Sequence, residues 1–155
     1  CPNLQTVGYQ AFYSSVFTGN FNCPNLQEVG NSAFLNSQFD GIFEEIKIKN
    51  IGSDAFANSN FSGSLSLPVC TYIGDNAFYL SQFTGEFNCP NLHTIGQYAF
   101  LNSTFTTITI GANATLGEGC IGAHSAEFIN DYAANGKLAG TYVWDAGTNH
   151  WIYQG

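Results

Sequence analysis

Along residues 1–110 the apolar and polar positions fall into one block that recurs every 22 residues. Each block carries an aliphatic residue followed by glycine: Val7-Gly8, Val29-Gly30, Ile51-Gly52, Ile73-Gly74 and Ile95-Gly96. An Ala-Phe pair follows three residues later: Ala11-Phe12, Ala33-Phe34, Ala55-Phe56, Ala77-Phe78 and Ala99-Phe100. Ser recurs at 15, 37, 59, 81 and 103, and a second Phe at 17, 39, 61, 83 and 105. Five copies run from Cys1 to about Ile110 in even steps. Inside a block, Phe17-x-Gly19-x-Phe21-x-Cys23 has a period of two, which predicts a strand with one buried face. Leu26-x-x-Val29 then turns a corner, where the next glycine suits a positive φ or a tight backbone approach. Ala33-Phe34 is expected to point inward from a short helical or 3₁₀ turn, and Phe39 closes the rung. The glycines at 19, 41, 63 and 85 are expected to make room for a neighbouring Phe. The recurring Ser is expected to bond a backbone group in the turn.

No single block encloses its own apolar groups, so stacking of blocks must create the core. A step of about 20–29 residues with one short strand per turn is the leucine-rich-repeat period, and helical-pair repeats need about 33 or more. The predicted fold is a right-handed β-solenoid with a parallel sheet on one side. Positions facing away from the core on that sheet form the candidate recognition face. Its candidate ligand-binding residues are Thr18, Asn20, Asn22, Asp40, Ile42, Glu44, Ser64, Thr84, Glu86, Asn88 and Ile108. Ser62, Ser66, Thr106 and Ile110 extend the same array to about five rungs by three side chains. A second, more apolar stripe (Tyr13, Leu35, Ala57, Tyr79, Leu101) reads as partly buried packing.

The pattern dissolves after Ile110, which divides the chain into repeats over 1–110 and a C-terminal segment over 111–155. Gly111 to Gly122 reads as a loop or one degenerate rung. Ser125 is expected to cap a helix over 126–134, with Phe128, Ile129 and Tyr132 on one face and Asn135-Gly136 as its stop. Two aromatic-rich runs around Asp145–Asn149 predict a β-hairpin over 141–153. Helix and hairpin together suit a cap over the open end of the stack, which would otherwise leave Phe100 and Phe105 wet. The other reading of this segment is a small binding module built on Trp144, Trp151 and Tyr153. The chain opens on Cys1 in mid-pattern, so it reads as a segment of a longer protein. Its first rung lacks a cap, and end-to-end pairing through that edge is expected.

The string Leu92-x-x-Ile95-Gly96-x-x-Ala99-Phe100, with the strand and proline of Phe83 to Pro90 before it, resembles the BspA-like leucine-rich repeat. The resemblance covers about 110 of the 155 residues. It implies a secreted or surface-exposed protein of host-associated bacteria or parasitic protists, engaged in adhesion or protein binding. It brings no catalytic residues to this chain.

Charge and chemistry narrow the function. The chain has three Lys, no Arg and a formal net charge of −8. Nothing here neutralises a row of phosphates or docks on an anionic membrane, so nucleic acid and membrane are not expected partners. No apolar run approaches the ~18 residues of a spanning helix. Five Cys (1, 23, 70, 89, 120) without a CxxC give neither a zinc site nor a full disulfide framework. Buried thiols are expected, with a Cys1–Cys23 bridge as the alternative. His93, His124 and His150 show no metal-ligand spacing and are expected in solvated or loop positions. The adjacent Glu44-Glu45 point to opposite strand faces, which suits a charged rung edge with Lys47 and Lys49 rather than a catalytic pair. No catalytic, cofactor or metal site is expected. The sequons at Asn60, Asn102 and Asn113 bear on function only in a secreted eukaryotic protein. The expected role is an extracellular, non-catalytic interaction module binding a host or matrix protein through the strand face. The alternatives are a glycan-binding module on the terminal aromatics and a structural spacer of a longer surface protein.

Overall fold

The computed structural model describes residues 2–43 and 47–155. The stack of rungs carries two parallel ladders. At the corners run the two-residue strands β1 (Thr6–Val7), β2 (Glu28–Val29) and β3 (Asn50–Ile51). The five-residue β4 (Ser62–Ser66) follows, then a further corner strand, β5 (Tyr72–Ile73). Beyond it come the long β6 (Gln82–Cys89), β7 (Thr94–Ile95), the long β8 (Thr104–Ile110) and β9 (Thr115–Leu116). The corner strands form one parallel sheet in the order β1-β2-β3-β5-β7-β9. Its sixth member shows that Gly111 to Gly122 contributes a rung: Leu116-Gly117 takes the place of Ile95-Gly96, and buried Cys120-Ile121 follow in the place of Ala99-Phe100. The long strands β4, β6 and β8 pair in parallel in the second sheet.

The long ladder is narrower than the sequence predicts. Among the described residues the first two rungs contribute only the bridge between Phe21 and Phe43. Side chains there take over backbone roles: Asn20 Oδ1 accepts the Ile42 N–H at 3.0 Å, and Asp40 Oδ1 accepts the Gly19 N–H at 2.7 Å. Short Asn and Asp side chains offer the backbone this alternative to a regular ladder.

The far side of each rung is a run of linked turns. In the second rung, Ala33, Leu35 and Ser37 N–H groups donate back within the rung to Gly30, Ser32 and Phe34. The intervening Ser32, Phe34 and Asn36 N–H groups donate instead to Ser53, Ala55 and Ala57 of the next rung. Ser32 and Asn36 hold positive φ values of 54° and 62°, and the corresponding residues repeat this in the other rungs. The alternation keeps the i→i−3 turns from winding into a continuous 3₁₀ helix, because every second donor is spent on a neighbouring rung. The recurring Ser completes this side. Ser59, Ser81 and Ser103 Oγ donate to the carbonyls of Ser37, Ser59 and Ser81, all fully buried.

Between the ladders the Phe rings stack in columns. Phe34, Phe56, Phe78 and Phe100 lie face to face at 5.0–5.3 Å, and Phe39, Phe61, Phe83 and Phe105 form a second column at 5.5–6.2 Å. Edge-to-face contacts join the columns, an arrangement the ring quadrupole favours. The glycines do two different jobs. A Cβ on Gly74 would lie 2.5 Å from Ser53 N and 2.7 Å from Gly52 C, so this position needs glycine for the close approach of rungs. Gly63 and Gly85 sit at φ of 80° and 77°. A Cβ on Gly63 would meet nothing within 4 Å, so backbone conformation, not room for a Phe, explains glycine there.

The 22-residue step breaks at the last long strand. Glu86 pairs with Thr107 and Phe87 with Ile108, which leaves Thr106 as a bulged residue. Phe105 and Ile108 are therefore successive inward positions three apart, with no glycine between them. A one-residue shift exchanges the faces of a strand. Ile108 and Ile110, expected outward by the even step, are 0% and 1% exposed.

Helix α1 (Ser125–Ala134) and the hairpin β10 (Gly140–Asp145) and β11 (His150–Tyr153) close this end. Ser125 is the first helical residue rather than its cap. His124 precedes it in a left-handed conformation (φ 57°), and the Ser125 hydroxyl accepts the Ile121 N–H from the last rung. Phe128 and Tyr132 are buried and Ile129 packs partly against the core. Tyr132 hydroxyl donates to Gly111 O at 2.6 Å and accepts the Ala114 N–H at 2.9 Å, tying the helix to the sixth rung. Strand β10 pairs antiparallel with β8, so the hairpin covers the sheet edge that the repeats would leave open.

Candidate functional site

The outward face of β4, β6 and β8 is the most regular exposed surface of the stack. Ser62, Ser64 and Ser66 on β4, Thr84 and Glu86 on β6, and Thr104 and Thr106 on β8 are exposed, and Asn88 is half-buried. Alternation places them there, since Leu65, Phe83, Phe87, Cys89, Phe105 and Ile108 point into the core. The side chains are cross-linked between rungs: Ser64 Oγ accepts the Glu86 N–H, Asn88 Nδ2 donates to Ser66 Oγ, and Thr106 Oγ1 donates to Gly85 O. These bonds hold hydroxyl and amide groups in fixed rows and reduce the ordering cost of binding. Glu86 is the one carboxylate on these three strands. A shallow depression at their start is lined by Gln82, Thr84, Asn102 and Thr104. Extending the alternation one residue ahead of Phe83 and Phe105 finds Gln82 and Thr104. Asn102 lies in the turn and carries no such signal.

The other predicted positions are distributed differently. Thr18, Asn20, Asp40 and Ile42 are exposed on the irregular first two rungs, where Asn20 and Asp40 are engaged in backbone bonds. Asn22 is exposed beside them. Glu44, its neighbour Glu45 and the Cys1 of the alternative bridge lie outside the described residues. Ile108 is core. The sequence thus placed eleven residues on one array, whereas the structure brings Ser64, Thr84, Glu86 and Asn88 together on regular strands.

The remaining reactive groups are built into the scaffold. Cys70, Cys89 and Cys120 are free and fully buried, and Cys23 is buried. The Cys89 thiol is pushed up by its hydrogen bond with Cys70 and by burial, and burial raises Cys120 to about 11. Such thiols are protonated and unreactive at neutral pH. His93, His124 and His150 are all exposed, and His124 also stacks on Trp144 with ring centres 3.8 Å apart. Asp131 joins helix to hairpin by accepting the Trp151 N–H at 2.7 Å and lying 2.9 Å from His150 Nδ1. Among the described residues no other acidic and basic side chains lie within ion-pair distance. Of the three terminal aromatics, Trp151 is 2% exposed, whereas Trp144 and Tyr153 are half-buried. No group of three or more metal-ligating side chains occurs among the described residues. No described helix is long and apolar enough to cross a membrane.

Comparison with known proteins agrees with this architecture. No curated protein and no solved structure matches the chain. The model of the BspA type leucine rich repeat region matches residues 3–125 in six copies. Six copies correspond to the six corner strands, including the rung after Ile110 that departs from the even step. Repeats of this kind typically serve as non-enzymatic scaffolds for protein interaction. By the span of that match, most of its length, the chain belongs to the BspA-type leucine-rich-repeat family.

Proposed function

We propose that the chain is an extracellular or surface-borne adhesion module that binds a host or matrix protein through the outward face of β4, β6 and β8. The observation that carries this reading is the fixed array of hydroxyl and amide groups on those strands, with Glu86 at its centre. Such a face offers many directed hydrogen bonds and a single negative charge, which suits a polar, basic protein surface. The BspA-type repeat supports an interaction role, and the repeats of host-associated surface proteins that this chain resembles support the location. Burial of Trp151 takes away one of the three rings a glycan module would use, and Trp144 and Tyr153 are only half-exposed, which favours the strand face over the terminal aromatics.

The test is binding of the purified chain to immobilised matrix and serum proteins, with a glycan array alongside. A saturable protein signal is expected that falls as salt rises. It is expected to drop at least ~10-fold in the Glu86→Arg, Asn88→Arg double variant, because like charge across an interface is repulsive. Full affinity in that variant refutes the strand-face assignment. Glycan binding without protein binding refutes the choice of partner.

A further inference from the structure

The strand face does not stop at the last repeat. The second sheet has the order β11-β10-β8-β6-β4, so the hairpin extends the same surface by two strands. Pairing keeps the faces in register. Buried Tyr142 lies opposite buried Ile108 on one side and Tyr153 on the other. Alternation then turns Thr141 and Val143 outward, beside Thr109 and Thr107, and turns Ile152 outward beside Val143. Thr109 Oγ1 and Thr141 Oγ1 lie 3.0 Å apart and join repeat to hairpin on that face. Two rows therefore cross the sheet from strand to strand. One runs through Ser66, Asn88, Thr109 and Thr141. The other runs through Glu86, Thr107, Val143 and Ile152.

The second row changes character along its length. It begins at the carboxylate of Glu86 and ends on an apolar cross-strand pair. Val143 is half-buried, and Ile152 is 43% exposed, the one large apolar side chain exposed on these five strands. Contact with Val143 covers one side of Ile152 and leaves its outer side in water. The charge on the face has one sign. Glu86 and Asp145 are carboxylates, and the five strands contain no Lys or Arg. Their one histidine, His150, lies 2.9 Å from Asp131. The Gly147 N–H and the Thr148 hydroxyl hold Asp145 below the usual carboxylate range and keep it ionised. An apolar spot bordered by polar groups is the arrangement of an interface centre within its rim. Negative charge at two of its borders selects a partner that is cationic beside its apolar group. Neighbouring strands lie about 4.8 Å apart, so Glu86 and Val143, two strands apart, are separated by about 10 Å. In an extended segment, side chains i and i+2 share a face about 7 Å apart, and the stem of a lysine spans the remainder.

We propose that the binding face spans all five strands and that Val143 and Ile152 are its apolar anchor, taking a protein segment whose apolar side chain is flanked by lysine or arginine. The inference rests on the strand-face reading and names the chemistry of the partner. The partner's apolar side chain packs on Val143 and Ile152, and one of its cations reaches Glu86. The Thr107 hydroxyl, between them in the same row, meets the partner's backbone. The turn beyond Asp145 lies outside the contact.

The test is a nitrogen–proton NMR titration of the whole chain with the capped peptide Gly-Lys-Ser-Leu-Ser-Lys-Gly, up to about 5 mM, which covers weak binding. The peptide is symmetric about its leucine, so either direction brings a lysine toward Glu86. Amide shifts are expected at Glu86, Thr107, Thr109, Thr141, Val143 and Ile152. A peptide with serine in place of leucine is expected to bind at least ~5-fold more weakly, since part of a leucine transfer is lost. Ile152→Ser, at an exposed position, is expected to abolish that preference. Ile152→Thr, which keeps the β-branch that strands favour, gives a second variant in case serine disturbs the hairpin. Glu86→Gln is expected to weaken both peptides at least ~2-fold and to flatten the dependence on salt. A leucine preference that survives Ile152→Ser and Ile152→Thr, or shifts confined to Ser62–Ser66 and Gln82–Cys89, overturns the anchor and leaves the strand-face reading standing. Hairpin shifts that Glu86→Gln leaves unchanged overturn both. No shift at the highest concentration overturns the partner chemistry, while the protein-binding screen still decides the strand face.

Discussion

Phe78 and Phe17 belong to the same kind of repeat, yet their truncations are expected to differ severalfold in cost. Phe78 is fully buried and stacks between Phe56 and Phe100 at 5.3 and 5.0 Å. Phe43, Phe61 and Phe83 approach its ring edge-on. Rings on every side hold their positions, so Phe78→Ala leaves a cavity that closes poorly and costs about 3–5 kcal/mol. Phe17 touches only Phe12 and Phe39 among the rings and is 43% exposed. Its truncation loses part of a transfer term and opens no enclosed cavity, so Phe17→Ala costs about 1 kcal/mol. At about 2–4 °C per kcal/mol for a chain of this size, the melting temperature falls by about 6–20 °C and about 2–4 °C respectively. Differential scanning calorimetry at low micromolar concentration with reductant measures both. Equal losses would refute the premise that a rung's stability comes from neighbours on both sides.

Further expectations follow from single contacts. Gly74→Ala forces a methyl against the Ser53 and Gly52 backbone and should cost about 1–3 kcal/mol in urea unfolding. Tyr132→Phe strips Gly111 O and Ala114 N–H of a buried partner and should cost about 1–3 kcal/mol, read the same way. Cys70, Cys89 and Cys120 should resist a thiol reagent at neutral pH in the folded chain and react in denaturant. Alkaline stability has a definite sign. The folded Cys120 holds its proton to about 11, whereas the ordinary thiol loses it near 9.0. The unfolded chain therefore binds fewer protons between these values, and stability should fall as pH rises through that window. Burial lifts Tyr142 to about 12 and extends the fall upward. A urea midpoint that is flat from pH 9 to 11 would contradict this.

The core was legible in the sequence because one constraint repeats. Ala33-Phe34, Ala55-Phe56, Ala77-Phe78 and Ala99-Phe100 sit in one buried environment, and their even recurrence makes that environment plain. The errors arise where a residue leaves that average. Ile108 was placed outward by counting 22 from Glu86, but the strand after Phe105 has no glycine and bulges at Thr106 instead. A bulge depends on pairing with β6, which periodicity does not encode. Asn20 and Asp40 looked like ligand-facing side chains, and their capture of Ile42 and Gly19 N–H groups depends on how far the first two rungs stray from a regular ladder. The link from Asp131 to His150 and Trp151 spans some 20 residues of unrelated sequence and appears only once the hairpin lies on the helix.

The assignment of the strand face is tested most directly by hydrogen exchange on the chain with and without a saturating protein ligand from the binding screen. The account predicts added protection concentrated in Ser62–Ser66 and Gln82–Cys89, with the hairpin loop after Asp145 and the first rung unchanged. Protection confined to the hairpin, or to Gln5 to Tyr13, would contradict it.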